Sequence, residues 1–339
     1  MAQKIAQGFE RLKINHPDVK FMGFTFSFPC LQTQLNNGTL IKWTKGYSAS
    51  DVENHNVVEM LRKACAERGL RIGDFVLTND TVGTLLYGAY QYPGCSIAVI
   101  NGTGTNACYI EKTENVNGME NPNGHQTVII NTEWGSFGEN GELDKYRLKV
   151  DRDVDNASIN TGFQTFEKMV SGLYIGEIIR RTIIQAHDQR LIFIDRLPEG
   201  LEKENSFPST WSSKVHNNDW LINKFKKKFS YVLDDRQCDQ IVKICDAITM
   251  RAARLCAAGL SALVIKTGNY TSPVAADGSL FQRHPHFLGE VQNCLNTTLL
   301  ENTNVRIERI SEGSGIGAAL AACIVTNHPE LIPNPTPLP

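Results

Sequence analysis

The chain has 339 residues and a formal net charge of −2, long enough for two domains with sizeable cores and too balanced for a nucleic-acid protein, whose phosphate contacts need clustered Lys and Arg. The one basic run, Lys224-Phe225-Lys226-Lys227-Lys228, reads as a solvated helix face. Nine cysteines, set mostly in apolar segments and with no Cys-x-x-Cys pair, read as buried reduced thiols of a cytoplasmic protein rather than disulfides or a zinc site. Neither a secretory leader nor an apolar run of about 18 residues is expected, so no membrane-spanning segment is either.

After a short helical start, Lys20 to Phe28 predicts a strand, and Leu31 to Trp43 a hairpin turning at Asn36-Asn37-Gly38. Ser27, between two phenylalanines, is a weak candidate for ligand binding by spacing alone. Thr44 and Lys45 follow the hairpin; a lysine there is a solvated side chain or a donor to a sugar hydroxyl near a transferring phosphate. Val52, Val57, Met60, Leu61 and Cys65 recur near the helical period, which predicts a helix over Asp51 to Leu70 capped by Ser50 or Asp51.

The next strand, Phe75 to Asp80, runs into Thr81-Val82-Gly83-Thr84. Asn79-Asp80 fits a turn former, and Asp80 equally fits a general base that takes the proton of a hydroxyl as it attacks a phosphoryl group. A strand over Cys95 to Ile100 then meets Gly102-Thr103-Gly104-Thr105-Asn106. Glycines there let a phosphate approach backbone N–H groups, or simply let the chain reverse. A polar loop over 112–126 and a strand over Thr127 to Asn131 complete an α/β alternation.

Glu133 follows that strand directly, in Asn131-Thr-Glu-Trp-Gly-Ser-Phe-Gly138. Glu167 falls in the first turn of a helix predicted from Gln164 to Gln189, where the macrodipole alone favours an acid. Carboxylates and amides pair with vicinal hydroxyls, so Asn79, Asn106, Glu133 and Glu167 form a candidate polyol cradle. Further on, a helix is expected over Asp239 to Ile265, a loop over Pro208 to Asn218, and a strand-turn piece over Pro273 to Phe281. His284-Pro-His286 reads as a turn and helix start. A strand over Val305 to Ile310 enters a second glycine turn, Gly313-Ser314-Gly315-Ile316-Gly317, which lacks the Lys-Ser/Thr of a P-loop. A proline-rich tail, 333–339, closes the chain.

Taken together, Gly23-Phe-Thr-Phe-Ser-Phe-Pro-Cys30, Trp43-Thr-Lys-Gly-Tyr47, Asn79-Asp-Thr-Val-Gly-Thr84, Gly102-Thr-Gly-Thr-Asn-Ala-Cys-Tyr109, Glu133-Trp-Gly-Ser-Phe-Gly138, Phe166-Glu-Lys-Met169 and Gly313-Ser-Gly-Ile-Gly-Ala-Ala-Leu320 resemble the eukaryotic hexokinase family, over about Ile5 to Val325. The resemblance implies an α/β, actin-like, RNase-H-type two-domain sugar kinase that moves the γ-phosphoryl group of ATP, with Mg2+ bound mainly through the ATP, to the 6-hydroxyl of a hexose such as glucose. On matching positions Asp80 is the catalytic base, and Ser27, Thr44, Lys45, Asn79, Asn106, Glu133 and Glu167 hold the sugar. Gly102, Thr103 and Gly104 approach the phosphates; Gly313, Ser314 and Gly315 face the adenosine side.

The implied domains are 1–79 with about 321–332, a small domain, and 80–320, a large one. Two departures stand against the family pattern. No Asp-Leu-Gly-Gly-Thr-Asn-type phosphate turn precedes Ser27, so the small domain is expected to be N-terminally truncated and the Lys20 to Phe28 strand to present an open edge. The second glycine run is one residue short, with apolar Ile316 at the basic position. The alternative expectation is therefore a catalytically inactive sugar-binding or regulatory hexokinase-like protein.

Overall fold

A computed structural model describes residues 1–15, 19–118, 124–299 and 303–332. In chain order the elements are α1 (Ala2–Leu12), β1 (Phe21–Thr25), β2 (Cys30–Gln34), β3 (Asn37–Leu40), α2 (Val57–Ala66), β4 (Asp74–Thr78), α3 (Asp80–Gln91), β5 (Ile97–Asn101), β6 (Thr105–Lys112) and β7 (Thr127–Asn131). There follow α4 (Lys149–Ala157), α5 (Thr165–Val170), α6 (Gly172–Asp188), α7 (Asn218–Phe229), α8 (Asp235–Thr267), β8 (Val274–Asp277), α9 (Ser279–Arg283), α10 (Phe287–Thr298), β9 (Ile307–Arg309) and α11 (Gly313–Asn327). Contacts group the chain into two compact units, Met1–Ala98 with Cys108–Asn131 and Ile310–Pro339, and Val99–Ala107 with Thr132–Arg309.

In the first unit β1 and β4 form a two-stranded parallel sheet, Phe21 opposite Asp74 through Thr25 opposite Thr78. All of β4 is buried, whereas only Phe24 of β1 is. Parallel strands need cover on their faces, and α11 packs on both strands and on α3. That packing is as close as backbones allow: a Cβ on Gly317 would sit 1.7 Å from the Gly83 carbonyl oxygen, and one on Gly23 2.2 Å from that of Ala318. The apolar core beneath comes from α1, α2, the hairpin and β4, with Phe9, Leu40, Val58, Leu61 and Phe75 buried together.

Local chemistry moves two expected elements. The β2–β3 hairpin turns on Leu35-Asn36, one residue before the expected Asn36-Asn37-Gly38, because Gln34 pairs with Asn37. The first long helix starts at Val57 rather than Asp51. Asp51 and Asn54 take left-handed backbone conformations, φ 60° and 63°, which no helix interior accommodates, and Asn56 caps instead, its Oδ1 accepting from the N–H groups of Val58 and Glu59.

The five remaining strands run in the order β7-β6-β5-β8-β9, β6 and β7 antiparallel with Cys108 opposite Asn131, β8 and β9 parallel with Val274 opposite Ile307. In the second unit α8 is the central helix. Among the described residues it alone is long and apolar enough to cross a membrane, which the expectation of no such run did not foresee. It buries Ile241, Cys245, Ile248, Ala252, Cys256 and Leu260 along one stripe and packs against α6 and α10, the pattern of a core helix. The expected single helix from Gln164 to Gln189 is two, α5 and α6, broken at Ser171. The break has a tertiary cause: the N–H groups of Gly172 and Leu173 donate to the carbonyls of Gly102 and Thr103 at 2.7 and 3.2 Å instead of continuing a helical ladder. Lys226, Lys227 and Lys228 lie exposed on α7 around buried Phe225 and Phe229, and the tail 333–339 lies outside the described residues.

Candidate active site

Parallel pairing of β1 with β4 sends both strands to the same end, and the N–H of Phe26 extends the ladder by donating to the Thr78 carbonyl at 3.0 Å. Ser27 and Asn79 are the next residues on either side, at the carboxyl ends where α/β sheets place ligands. Asp80 is the first residue of α3, not the last of a strand as expected, because Asn79 is the cap. Asn79 Oδ1 accepts from the N–H and hydroxyl of Thr81, at 2.9 and 2.6 Å, while Asp80 Oδ1 accepts from the same N–H at 2.8 Å. Lys45, with φ 59°, donates from Nζ to the Ser27 carbonyl at 2.8 Å and covers the Phe28 ring. Phe28 packs edge-on against Trp43, which fixes the segment that carries half-buried Thr44. Ser27, Lys45, Asn79 and Asp80 are thus set by one strand pair and the loops at its end.

Gly313, Ser314 and Gly315 belong to the first unit as well, but as the first turn of α11 rather than as a free glycine turn. Gly313 is closed in by Ile310 and Thr84, whereas a side chain on Gly315 would meet open space. The Ser314 carbonyl accepts the Thr25 hydroxyl at 3.1 Å, a tie between the strand that leads to Ser27 and the helix start. Ile316 is exposed.

The second unit gathers the other candidates around Thr105 and Asn106, which follow the Gly102-Thr103-Gly104 turn between β5 and β6. Asn106 donates from Nδ2 to Glu133 Oε1 at 3.2 Å, and its Oδ1 accepts the Thr132 hydroxyl at 3.4 Å. Glu167, 2% exposed, accepts the Thr105 N–H at 3.0 Å through Oε2. It is therefore a buried, anchored carboxylate, not a solvated acid at a helix end. The indole of Trp134 donates to the Thr105 hydroxyl at 3.1 Å and packs on Phe166. Glu133 itself is left-handed, φ 47°, a conformation that costs a non-glycine residue about 1–2 kcal/mol and is retained mainly at functional sites. Thr103 is exposed at the tip of its turn, while Gly102 and Gly104 are buried.

Beside that turn lies a cavity of about 460 Å³ lined by Gly102, Thr103, Gly172, Ser209, Lys214 and Ser279, among others. Only its glycine-turn wall was expected. Gln164 was missed too: it stands at φ 56° just before α5, its N–H donating to Glu139 Oε1 at 2.7 Å. Both come from loops far apart in the chain, and neither carries a local motif. Among the described residues no three His, Cys, Asp or Glu side chains are placed to hold a metal ion.

Two-domain sugar kinases are the class to which this arrangement of strand-end acids and glycine turns corresponds. Family models described as Hexokinase match residues 96–324 and 1–90, and the chain belongs to the hexokinase family. It is 38% identical over 326 residues to a hexokinase of Schistosoma mansoni, covering 92% of this chain and 70% of that protein. The structure of a Schistosoma mansoni hexokinase complexed with glucose superposes with a TM-score of 0.88 at 35% identity, over 95% of this chain and 74% of that one. Hexokinase HKDC1 of Mus musculus is 39% identical over 313 residues, 89% of this chain; the chain spans only 34% of that relative's length.

Proposed function

We propose that the chain is a hexokinase that transfers the γ-phosphoryl group of ATP to the 6-hydroxyl of a hexose such as glucose. The observation that carries this is the cradle of Asn106, Glu133 and Glu167 around Thr105: an amide and two carboxylates of fixed orientation match the alternating donors and acceptors of a sugar. Ser27, Thr44, Lys45 and Asn79 contribute the remaining sugar contacts. Asp80 takes the proton of the 6-hydroxyl as its oxygen attacks, a role contributing typically ~10²–10⁴-fold. Gly102, Thr103 and Gly104 offer backbone N–H groups to the phosphates, and Gly313, Ser314 and Gly315 approach the nucleoside. The 460 Å³ cavity, with Lys214 on its wall, is the right size for the base and ribose. Mg2+ would enter with the ATP, held mainly by phosphate oxygens and water rather than by protein ligands, and would neutralise phosphate charge.

The domains are proposed as 1–79 with about 321–332, and 80–320. None of the nine cysteines is in a disulfide, which favours a reducing, cytoplasmic setting. A second reading, a sugar-binding protein without catalysis, is favoured by one observation: exposed Ile316 in the first turn of α11, where the resemblance calls for a basic residue.

Measuring ATP-dependent phosphorylation of glucose, with Asp80→Ala as control and glucose-induced thermal shift on the same samples, separates the two. Turnover that drops by at least about 100-fold in Asp80→Ala, with the glucose shift kept, is the expected result. A glucose shift without turnover selects the second reading, and retained turnover in Asp80→Ala removes Asp80 as the base.

A further inference from the structure

Helix α5 is only six residues long and every one of them is buried. A helix of that length has no stability of its own, so tertiary contacts alone decide where Glu167 points. Glu167 is held on one side by the Thr105 N–H. The next residue, Lys168, turns about 100° around the helix and buries its ammonium against α4. Its Nζ donates to Asp155 Oδ1 at 2.6 Å and to the Asn160 carbonyl at 2.8 Å; both charged side chains are more than nine-tenths buried.

Asp155 is satisfied from two directions beyond Lys168. Gly162 N–H donates to Oδ1 at 3.0 Å and Arg147 Nη2 to Oδ2 at 2.8 Å, while α4 is itself fixed to α8 by a two-pronged pair of Arg251 with Asp151, 2.7 Å on each prong. Two separate ion pairs on α4 therefore tie it to the long core helix on one side and to Lys168, the residue beside Glu167, on the other. Burial alone would raise the Asp155 carboxyl, but the bonds from Lys168, Gly162 and Arg147 and the charge of Lys168 bring it below its ordinary value. Burial draws Lys168 down, against the pull of Asp155. Burial, with the charges of the same two acids, Glu167 and Asp155, pushes Tyr174 up to about 12.

We infer that the Lys168–Asp155 pair is a positioning device for the sugar site: it locks the rotation and height of α5 so that the Glu167 carboxylate is presented to a hexose hydroxyl in one orientation. The pair adds a charged clamp, tied to α4, beside a carboxylate that the Thr105 N–H already holds from the β6 side. Lys168 touches no sugar; it acts through Glu167. The inference rests on the sugar site proposed above.

The test is calorimetry of glucose binding to the full chain well below its melting temperature, together with KM and kcat. Lys168→Met is expected to raise the glucose Kd by about 10- to 100-fold, the scale of an ångström-sized misplacement, with KM for glucose rising alongside and KM for ATP unchanged. Lys168→Arg, which keeps the charge, is expected to restore most of the affinity. A purely structural pair would lower the melting temperature and leave the Kd of the folded protein where it was. Should Lys168→Met fail to fold, the double variant Lys168→Met with Asp155→Asn removes both charges together and takes its place, since an unpaired buried charge is the costly species. An unchanged Kd in a folded variant overturns the inference alone. No glucose binding by the unsubstituted chain overturns the sugar-site reading and this inference with it.

Discussion

Glu133 combines a cost and a contribution that nearly cancel in one substitution. Its left-handed backbone, φ 47°, is a strain of about 1–2 kcal/mol that glycine would not carry, and its carboxylate accepts a bond from Asn106 that contributes about 1 kcal/mol net. Glu133→Gly should therefore shift the unfolding free energy by no more than about 1 kcal/mol while weakening hexose binding by at least about tenfold, because a charged acceptor to a sugar hydroxyl contributes ~1.5–3 kcal/mol. Urea denaturation and calorimetry on the same preparation read both quantities. A large stability loss would mean that the carboxylate is structural; an unchanged sugar Kd would take Glu133 out of the cradle. The residue's placement was legible in the sequence, as an acid directly after a strand and before Trp134. Its backbone strain was not, because nothing about the letters Thr-Glu-Trp distinguishes a left-handed residue from an extended one.

At the scale of elements, the alternation of strands and helices, β7 and the placement of Gly102 to Gly104 between two strands could be read directly, since period-2 and period-3.6 patterns are local. What escaped had two causes: the break at Ser171 depends on distant carbonyls of the Gly102 turn, while the late start of α2 depends on a local competition between caps that Asn56 wins. Nor did the sequence separate the glycines of Gly313-Ser-Gly-Ile-Gly317 by role. Gly317 faces a backbone and Gly315 faces open space, so the same change should have opposite outcomes. Gly317→Ala is expected to cost about 3 kcal/mol or more, since the intruding Cβ meets main chain that cannot rotate away; Gly315→Ala should gain about 0.5–1 kcal/mol from helix propensity. Denaturant midpoints of the two variants check this, and equal shifts would mean that α3 and α11 are not packed backbone to backbone.

For the molecule as a whole, pH reaches stability first through His284. Burial, with His286 beside it, lowers its pKa to about 4; Asp246 and His216 also face it. Because an unfolded histidine takes its proton near the ordinary ~6.5 and the folded one only near 4, the unfolded state binds more protons between these values and stability falls as pH drops through that window. The loss from pH 7.5 to 5 should be about 2 kcal/mol, and His284→Gln should abolish most of it. Denaturation midpoints at both pH values decide the matter, an undiminished loss in the variant being the contrary result. Asp155 and Glu177, both held below their ordinary values by their cationic partners against the opposing effect of burial, keep their contributions through that range and lose them only at lower pH.

The buried thiols carry a consequence of another kind. Cys65, Cys95 and Cys108 lie sealed in the first unit, and Cys238, Cys245 and Cys256 in the second, with burial pushing Cys256 up to about 12 and raising Cys108 and Cys245 as well. Thiolates are the reactive form, so an alkylating reagent at neutral pH finds these sulfurs only in moments when the surrounding structure has opened. Each half of the chain thus contains its own set of three clocks, whose labelling rates time the breathing of that half without any engineered probe.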